Sequence, residues 1–120
     1  MKTRQLLMKF NTVNQNGRMY TKDSLMPYLK DDILGGIGYD QDSIINLKNV
    51  SHKVSNLTIE NDELWGDIEI LDTKEGELLK TIINEVVFRP KGVGEINEKQ
   101  EVVNYSLISF DAVSKDKDAF

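Results

Sequence analysis

The chain has 120 residues, of which 39% are hydrophobic and 29% charged, and it contains no cysteine. That length supports one hydrophobic core, and the composition is typical of a globular domain, so a multidomain enzyme, a disordered chain and a disulfide scaffold are excluded. Fifteen basic and 20 acidic residues give a net charge of -5, which opposes nucleic acid as a main partner.

The sequence also limits location and metal chemistry. No apolar run has the length of a signal peptide or of a membrane-spanning helix, so we expect a cytoplasmic protein with no membrane partner. With one histidine and no cysteine, we predict no metal site of the histidine or thiolate type within one chain, and no cofactor. Sites for Mg²⁺ or Ca²⁺ made of carboxylates alone stay open.

The first third of the chain predicts a strand, a turn, a short helix and a loop. Residues 3–10 alternate apolar and polar side chains as a strand does, and 14–17 have turn chemistry. Thr21 is a predicted N-cap for a helix near residues 22–31. The glycines of residues 35–42 predict an exposed loop rather than regular structure.

The turn at Asn16, Gly17 and Arg18 is predicted to be structural. Gly17 would take a positive φ, which glycine adopts without steric cost. Arg18 would tie the turn to a carboxylate or a carbonyl.

The remaining residues predict further strands and one well-marked helix. We expect a hairpin over 57–70, a helix over 75–85, and strands at 86–88, 93–96 and 102–113. About six antiparallel strands and two helices indicate a small α+β domain curled towards a β-barrel. Residues 1–113 would form this single domain, and 114–120 a polar, loose tail. The predicted core residues are Leu64, Ile68, Ile70, Leu79, Ile82, Ile83, Leu107 and Phe110.

His52 is the only imidazole, so any general base near neutral pH depends on it. On residue type alone, it is a loop or strand-end residue that hydrogen-bonds the backbone. The alternative is a base that activates a serine hydroxyl. The candidate serines are Ser43, Ser51, Ser55, Ser106 and Ser109, and none lies in a Gly-x-Ser-x-Gly elbow.

The order of motifs along the chain carries more information than any single residue. Residues 10–20 read Phe-Asn-Thr-Val-Asn-Gln-Asn-Gly-Arg-Met-Tyr, 45–52 end in Ser-His, and 64–73 read Leu-Trp-Gly-Asp-Ile-Glu-Ile-Leu-Asp-Thr. The helix at 75–83 and the strand at 107–113 follow. This order resembles the prohead core protease family of tailed phages over nearly all 120 residues, with Asn-Gly-Arg as its most specific part. The resemblance implies the β-barrel-with-helices fold of the prohead and herpesvirus assembly proteases.

Two catalytic motifs of that family are replaced in this sequence. Where the family has Gly-Glu-x-x-His-Pro with a catalytic histidine, the chain has a glycine-rich stretch with Tyr39 and Asp40. Where the family has Ser-Ser-Arg-Gly-x-Gly with the nucleophilic serine, Arg89 and Pro90 stand in register. Neither side chain can act as a nucleophile. The resemblance therefore implies a catalytically degenerate, non-enzymatic member, such as an inhibitor of the prohead protease, with His52 in a structural role.

Two features could bind a partner. Arg89 and Lys91 place two cations where the family has its nucleophile, and such a pair suits carboxylates. The alternative is a solvated basic turn. Tyr39, on a glycine-rich acidic loop, is a candidate interface anchor, and the alternative is that it covers the core.

Three functions follow from the resemblance. The first is a head-assembly protein that binds the prohead protease, as inhibitor or regulator, or binds scaffold or capsid subunits. The second is a structural virion component, a decoration or head-completion protein. The third is an active serine protease with a rearranged site around His52. The expected location is the host cytoplasm during phage assembly, with the virion for the structural alternative, and the acidic charge permits but does not require self-association.

Overall fold

The computed structural model describes residues 1–38 and 47–120. Within these ranges the chain forms β1 (Lys2–Lys9), α1 (Lys22–Leu25), β2 (Ile33–Gly36), β3 (Val50–Glu60), β4 (Glu63–Ile70), α2 (Lys74–Ile82), β5 (Val86–Ile96) and β6 (Val102–Ser114). The α+β class, with antiparallel strands and two α-helices, is confirmed. No helix in these ranges is both long enough and apolar enough to cross a membrane.

The larger sheet is antiparallel, with the strand order β1-β4-β3-β2. β4 alternates as predicted, since Leu64, Gly66, Ile68 and Ile70 are buried and the residues between them are partly exposed. Asn61 and Asp62 connect β3 to β4 with φ angles of 50° and 63°. Positive φ at both positions is what a two-residue type I′ turn requires, so the predicted hairpin is confirmed.

β2 occupies part of the segment that was predicted to be an exposed loop. Gly35 and Gly36 are buried, and β2 pairs with β3 so that Gly35 lies opposite His52. A Cβ atom on Gly35 would lie 2.4 Å from the Phe110 carbonyl oxygen and 2.5 Å from His52 Nε2. Glycine is therefore present here because a third strand approaches closely, which the local sequence does not indicate.

α1 is shorter than the predicted helix. It covers four residues and gives way to a 3₁₀ turn at Met26–Tyr28, with Pro27 near the start of that turn. Thr21 takes the extended N-cap conformation, but its side chain makes no capping hydrogen bond. Proline lacks a backbone donor and clashes with the preceding turn, which explains the early end of the α-helix.

α2 agrees closely with its prediction. Thr73 is its N-cap, and the Thr73 Oγ1 accepts a hydrogen bond of 2.9 Å from the Gly76 amide. The same hydroxyl donates to the Val50 carbonyl at 2.7 Å, which attaches the helix start to β3. The local cap and the tertiary contact therefore favour the same helix boundary.

The smaller sheet pairs β5 with β6. β5 is continuous where two strands and a glycine turn were predicted, and the ladder shifts register between Lys91 and Gly92 and again between Val93 and Glu95. Such shifts are typical of bulges, where glycine is common. Pro90 is tolerated because β5, within residues 1–38 and 47–120, is paired along one edge, with β6.

The two sheets do not close into a barrel within the described ranges, which corrects the barrel-like prediction. A single parallel bridge between Ile37 and Ala112 links β6 to the end of β2. At the opposite seam, the Leu6 carbonyl on β1 accepts a 2.9 Å hydrogen bond from the Arg89 guanidinium. A side chain thus lies between β1 and β5 where a closed barrel would have a backbone ladder.

One hydrophobic core joins both sheets and α2. Leu79 and Phe110 are 0% exposed, whereas Leu78, the neighbour of Leu79 in α2, is 53% exposed. Five predicted core residues are buried, namely Leu64, Ile68, Ile70, Leu79 and Phe110, and three pack at the border, namely Ile82, Ile83 and Leu107.

Candidate functional site

Ser51 and His52 form a hydrogen-bonded pair inside β3. The Phe110 carbonyl oxygen lies 2.7 Å from His52 Nε2, and because a carbonyl can only accept, Nε2 carries the proton. Nδ1 then accepts from the Ser51 hydroxyl, which lies 2.7 Å away. Both side chains are 0% exposed. A serine hydroxyl is within range of the imidazole, but in this conformation the pair is in the interior and not in an open cleft.

Burial controls the protonation of His52. It lowers the pKa of the imidazole to about 4, and the hydrogen bond to the Phe110 carbonyl opposes this shift only in part. The Phe88 ring packs edge-on against the imidazole, with 5.0 Å between ring centroids. His52 is thus neutral at physiological pH, with its hydrogen-bonding nitrogens satisfied inside the protein.

A second buried polar cluster lies on β6. The Ser109 hydroxyl donates to Asp111 Oδ1 at 2.9 Å, and the Gly36 amide donates to the same oxygen at 3.2 Å. Ser109 is 0% exposed and Asp111 is 2% exposed. Ser109, a candidate partner for His52 from the sequence, therefore bonds to a carboxylate, and this pair connects β6 to β2.

Arg89 is a buried carboxylate-binding group and not part of a solvated turn. It lies in β5 and is 7% exposed. Its Nη1 donates to the carbonyls of Leu6 at 2.9 Å and Phe88 at 2.8 Å. Its Nε donates to Oδ1 of Asp118 and its Nη2 donates to Oδ2 of the same carboxylate, each at 2.8 Å. This two-point geometry is the strong form of an arginine-carboxylate pair.

Residues 118–120 lie against this arginine, which differs from the loose tail that was predicted. The Ala119 carbonyl accepts a 2.7 Å hydrogen bond from the Gln15 amide. The Phe120 ring lies 5.7 Å from the Arg89 guanidinium carbon and 6.2 Å from the Tyr20 ring centroid. Burial tends to raise the pKa of Asp118, but the hydrogen bonds from Arg89 and the Phe120 amide outweigh it and leave that pKa lowered.

A groove surrounds this contact. It has a volume of about 300 Å³ and lies between the loop at 14–20, the middle of β5 and residues 117–120. Arg18 and Lys91 line it together with Arg89. Burial raises the pKa of Tyr20, while a hydrogen bond and positive charge from Arg18 partly offset that shift. With Lys117, which also lines it, the groove therefore combines four cations with an aromatic wall.

The turn that leads into the groove has a defined geometry. Gly17 has a φ of 75°. Asn14 Oδ1 accepts from the amides of Asn16 at 2.9 Å and Arg18 at 3.1 Å. A side-chain amide thus stabilises the turn, and the Arg18 side chain reaches Tyr20.

Some of the sequence positions identified through the family resemblance lie close together in the fold. Pro90 pairs with Phe110 across the β5–β6 ladder, and Arg89 pairs with Asp111. Because the Phe110 carbonyl also binds His52, these residues belong to one region of the fold. Tyr39 and Asp40 lie outside the described residues.

Sequence reasoning missed Asp111, Asp118 and Phe120. Asp118 is one of several charged residues in a polar segment, and 28 residues separate it from Arg89 along the chain. No local pattern distinguishes it from Asp116. Only the tertiary structure brings the acid and the arginine together. Across residues 1–38 and 47–120, no group of three or more potential metal-binding side chains comes together.

Together, the antiparallel four-stranded sheet, the helix α2 and the β5–β6 hairpin resemble the fold of a capsid assembly protease. One solved structure similar to this chain is that of the bacteriophage T4 capsid assembly protease, gp21, with a TM-score of 0.82 and 16% sequence identity. The match covers 93% of this chain and 80% of that one. No protein-family model matches this chain, and no curated protein matches it in sequence. At this level of identity, the likeness establishes the fold.

The similarity corrects one prediction. We predicted that the chain is not an enzyme, because two catalytic motifs of the family that its sequence resembles are replaced. The similar structure is that of a protease, which is an enzyme, and replacement of two sequence motifs does not show that this chain is inactive. The prediction is therefore wrong as an inference from motifs alone.

Proposed function

We propose that this chain is a protein of phage head assembly that binds the prohead protease and regulates it, as an inhibitor or modulator. The alternative partners in head assembly are scaffold and capsid subunits. The observation that carries the proposal is the fold, shared with a capsid assembly protease over 93% of the chain at a TM-score of 0.82.

The basic groove beside β5 supports a role in protein binding. Arg89 is held by two backbone carbonyls and presents its remaining donors to a carboxylate. Arginine with an adjacent aromatic ring is the combination enriched at the energetic centres of protein interfaces. The arginine fork suits the carboxylates of an acidic protein segment, and the net charge of -5 opposes nucleic acid as the partner.

Co-expression with defined partners tests the proposal. The tagged chain is produced with the protease, scaffold and major capsid protein of the same phage, and each is assayed for co-purification. The same tag on an unrelated acidic domain is the control. We expect the protease to co-purify and its cleavage of scaffold to slow in proportion to added chain. If the tagged chain retains none of the three partners, the head-assembly role is overturned.

Mass spectrometry of purified mature particles separates a regulator from a virion component. A regulator that acts during assembly is absent or scarce in mature heads. Stoichiometric presence of the chain would favour the decoration or head-completion alternative, and the regulatory proposal would then be abandoned.

Proteolytic activity is a second candidate, favoured by the hydrogen bond between the Ser51 hydroxyl and His52. A hydroxyl bonded to an imidazole is the pair that serine nucleophiles use. Both side chains are buried, so a substrate could reach them only after the strands around them move. Ser51→Ala and His52→Gln would each abolish cleavage of scaffold by the purified chain. Cleavage that survives both substitutions in folded protein would exclude this pair.

A further inference from the structure

We propose that the groove around Arg89 is a peptide-binding site for a short segment with an aspartate two residues before a phenylalanine, and that residues 118–120 are its intramolecular occupant. A segment of a partner protein would compete with residues 118–120 for this groove. The inference rests on the proposed function in one respect, namely that this partner is a protein of head assembly. Binding of the partner segment would displace residues 118–120 from the groove, so partner binding would be coupled to their release.

The first support is that Arg89 is held in place before any carboxylate binds. Its Nη1 is bound by the Leu6 and Phe88 carbonyls, which belong to β1 and β5. The guanidinium plane is thus fixed by two strands, and Nε and Nη2 point in one direction towards Asp118. A buried guanidinium that lost this carboxylate would keep two donors unpaired, which is unfavourable. The arginine therefore requires an acid, either from residue 118 or from a partner.

The second support is that the occupant is bound through its main chain as well as through its side chains. The Ala119 carbonyl accepts from the Gln15 amide at 2.7 Å, a main-chain contact that is independent of the side chain at 119. Asp118 and Phe120 flank it, one on the arginine fork and the other against Tyr20. Main-chain bonding with alternate side chains in pockets is a recurring mode of peptide recognition.

The third support is that the groove extends beyond its present occupant. About 300 Å³ of space is lined by Arg18, Lys91 and Asn16 in addition to the residues that touch Asp118. These cations would attract further acidic residues of a longer segment, although the chain as a whole has a net charge of -5. A partner segment could therefore make contacts that residues 118–120 do not make.

The test uses the full-length chain with its own segment weakened. In the Asp118→Asn, Phe120→Ala double variant, residues 118–120 no longer present the acid and the ring. A peptide of residues 115–120, capped at both ends, is titrated into the ¹⁵N-labelled variant and into wild type. Tethered segments have effective concentrations on the order of millimolar, so we expect at least tenfold weaker peptide binding to wild type. The Gln15 amide and the Arg89 Nε resonances should shift on saturation.

Two matched controls isolate the chemistry. Asp116→Asn removes an acid from the same segment, where it bonds Ser114 and not Arg89, and this variant should bind the peptide as weakly as wild type. A peptide with asparagine at the position of Asp118 should bind the double variant at least tenfold more weakly than the aspartate peptide. Equal binding of the two peptides would overturn the role of the arginine fork.

The proposal is also overturned if the folded double variant shows no saturable shift with peptide up to about 10 mM, an order of magnitude above typical effective concentrations. If the double variant does not fold, wild type is titrated instead. The aspartate peptide should then shift the Gln15 and Phe120 amides more than the asparagine peptide does, and no difference would exclude the site. Peptide binding without capture of any head-assembly protein would leave the site intact and refute the proposed function.

Discussion

The Ser51 hydroxyl and the Nδ1 atom of His52 lie 2.7 Å apart within one strand, and the Phe110 carbonyl binds the other ring nitrogen. Three consecutive hydrogen-bonding groups thus cross from β3 to β6 without contact with solvent. A neutral imidazole satisfies this chain with one proton on Nε2. A protonated imidazole is disfavoured, because its charge would be buried away from water, and the Ser51 hydroxyl would have to accept from Nδ1 and redirect its own proton to the Gly35 carbonyl, 3.5 Å away.

Stability should therefore fall on mild acidification. The pKa of His52 is about 4 in the folded protein and near its ordinary value of 6.5 in the unfolded chain. Between these values the unfolded state binds more protons, so the free energy of unfolding decreases as pH falls from 6.5 to 4. The full difference corresponds to about 3 kcal/mol. Urea unfolding at a series of pH values measures it.

His52→Gln is the control for this pH dependence, since glutamine does not titrate. The decrease between pH 6.5 and 4 should largely disappear in that variant. The lowered pKa of Asp118 acts in the same direction, but only as pH falls below the ordinary carboxyl range. An equally steep decrease in His52→Gln would assign the effect to other groups.

Gly35→Ala should be strongly destabilising. The added methyl would meet the Phe110 carbonyl oxygen and His52 Nε2, at 2.4 and 2.5 Å, and would separate the two atoms that share a hydrogen bond. Overpacking and loss of that bond together predict a decrease of roughly 2 to 5 kcal/mol in unfolding free energy. Gly94→Ala is the comparison, because its nearest neighbours lie at 3.2 Å and two of the three are side-chain atoms. A loss no larger than that of Gly94→Ala would contradict the β2–β3 register.

Truncations along α2 should rank by burial. Leu79 is fully buried, Ile82 lies at the border of the core, and Leu78 is 53% exposed. Leu79→Ala should cost roughly 2 to 5 kcal/mol, Ile82→Ala less, and Leu78→Ala under about 0.5 kcal/mol. Chemical denaturation gives all three values under one condition. A larger loss at Leu78 than at Leu79 would mean that the helix presents a different face to the core.

Removal of the Thr73 hydroxyl should destabilise the start of α2. Thr73→Ala eliminates the bond from the Gly76 amide and the bond to the Val50 carbonyl, at an expected cost of about 1 to 2 kcal/mol. Thr21→Ala is a matched control at the other α-helix, where the side chain makes no cap bond. Its effect should be a few tenths of a kcal/mol. Similar losses from both substitutions, measured by thermal unfolding, would rule out a special role for the Thr73 cap.

Local patterns were sufficient for the elements whose stabilising contacts are close in sequence. The alternation of Leu64, Ile68 and Ile70 predicted β4, because side chains two apart share one face of a strand. The helical spacing of apolar positions over 75–85 predicted α2, because that period acts within one or two turns. The motif order predicted the protease-like fold that the solved structure supports.

Only the tertiary structure decided the features that depend on distant segments. Gly35 was assigned to a loop, since its sequence neighbours contain no sign that His52 and the Phe110 carbonyl would approach it. The pairing of Arg89 with Asp118 was equally inaccessible, because Asp116 and Asp118 both follow a lysine in one polar segment and no local pattern marks either as the partner. Burial and partner choice are properties of how strands assemble, and the energy of a buried charge or a missing Cβ depends on that assembly. The sequence alone therefore determined the class of fold, and the packing of β2, β5 and residues 118–120 determined the site.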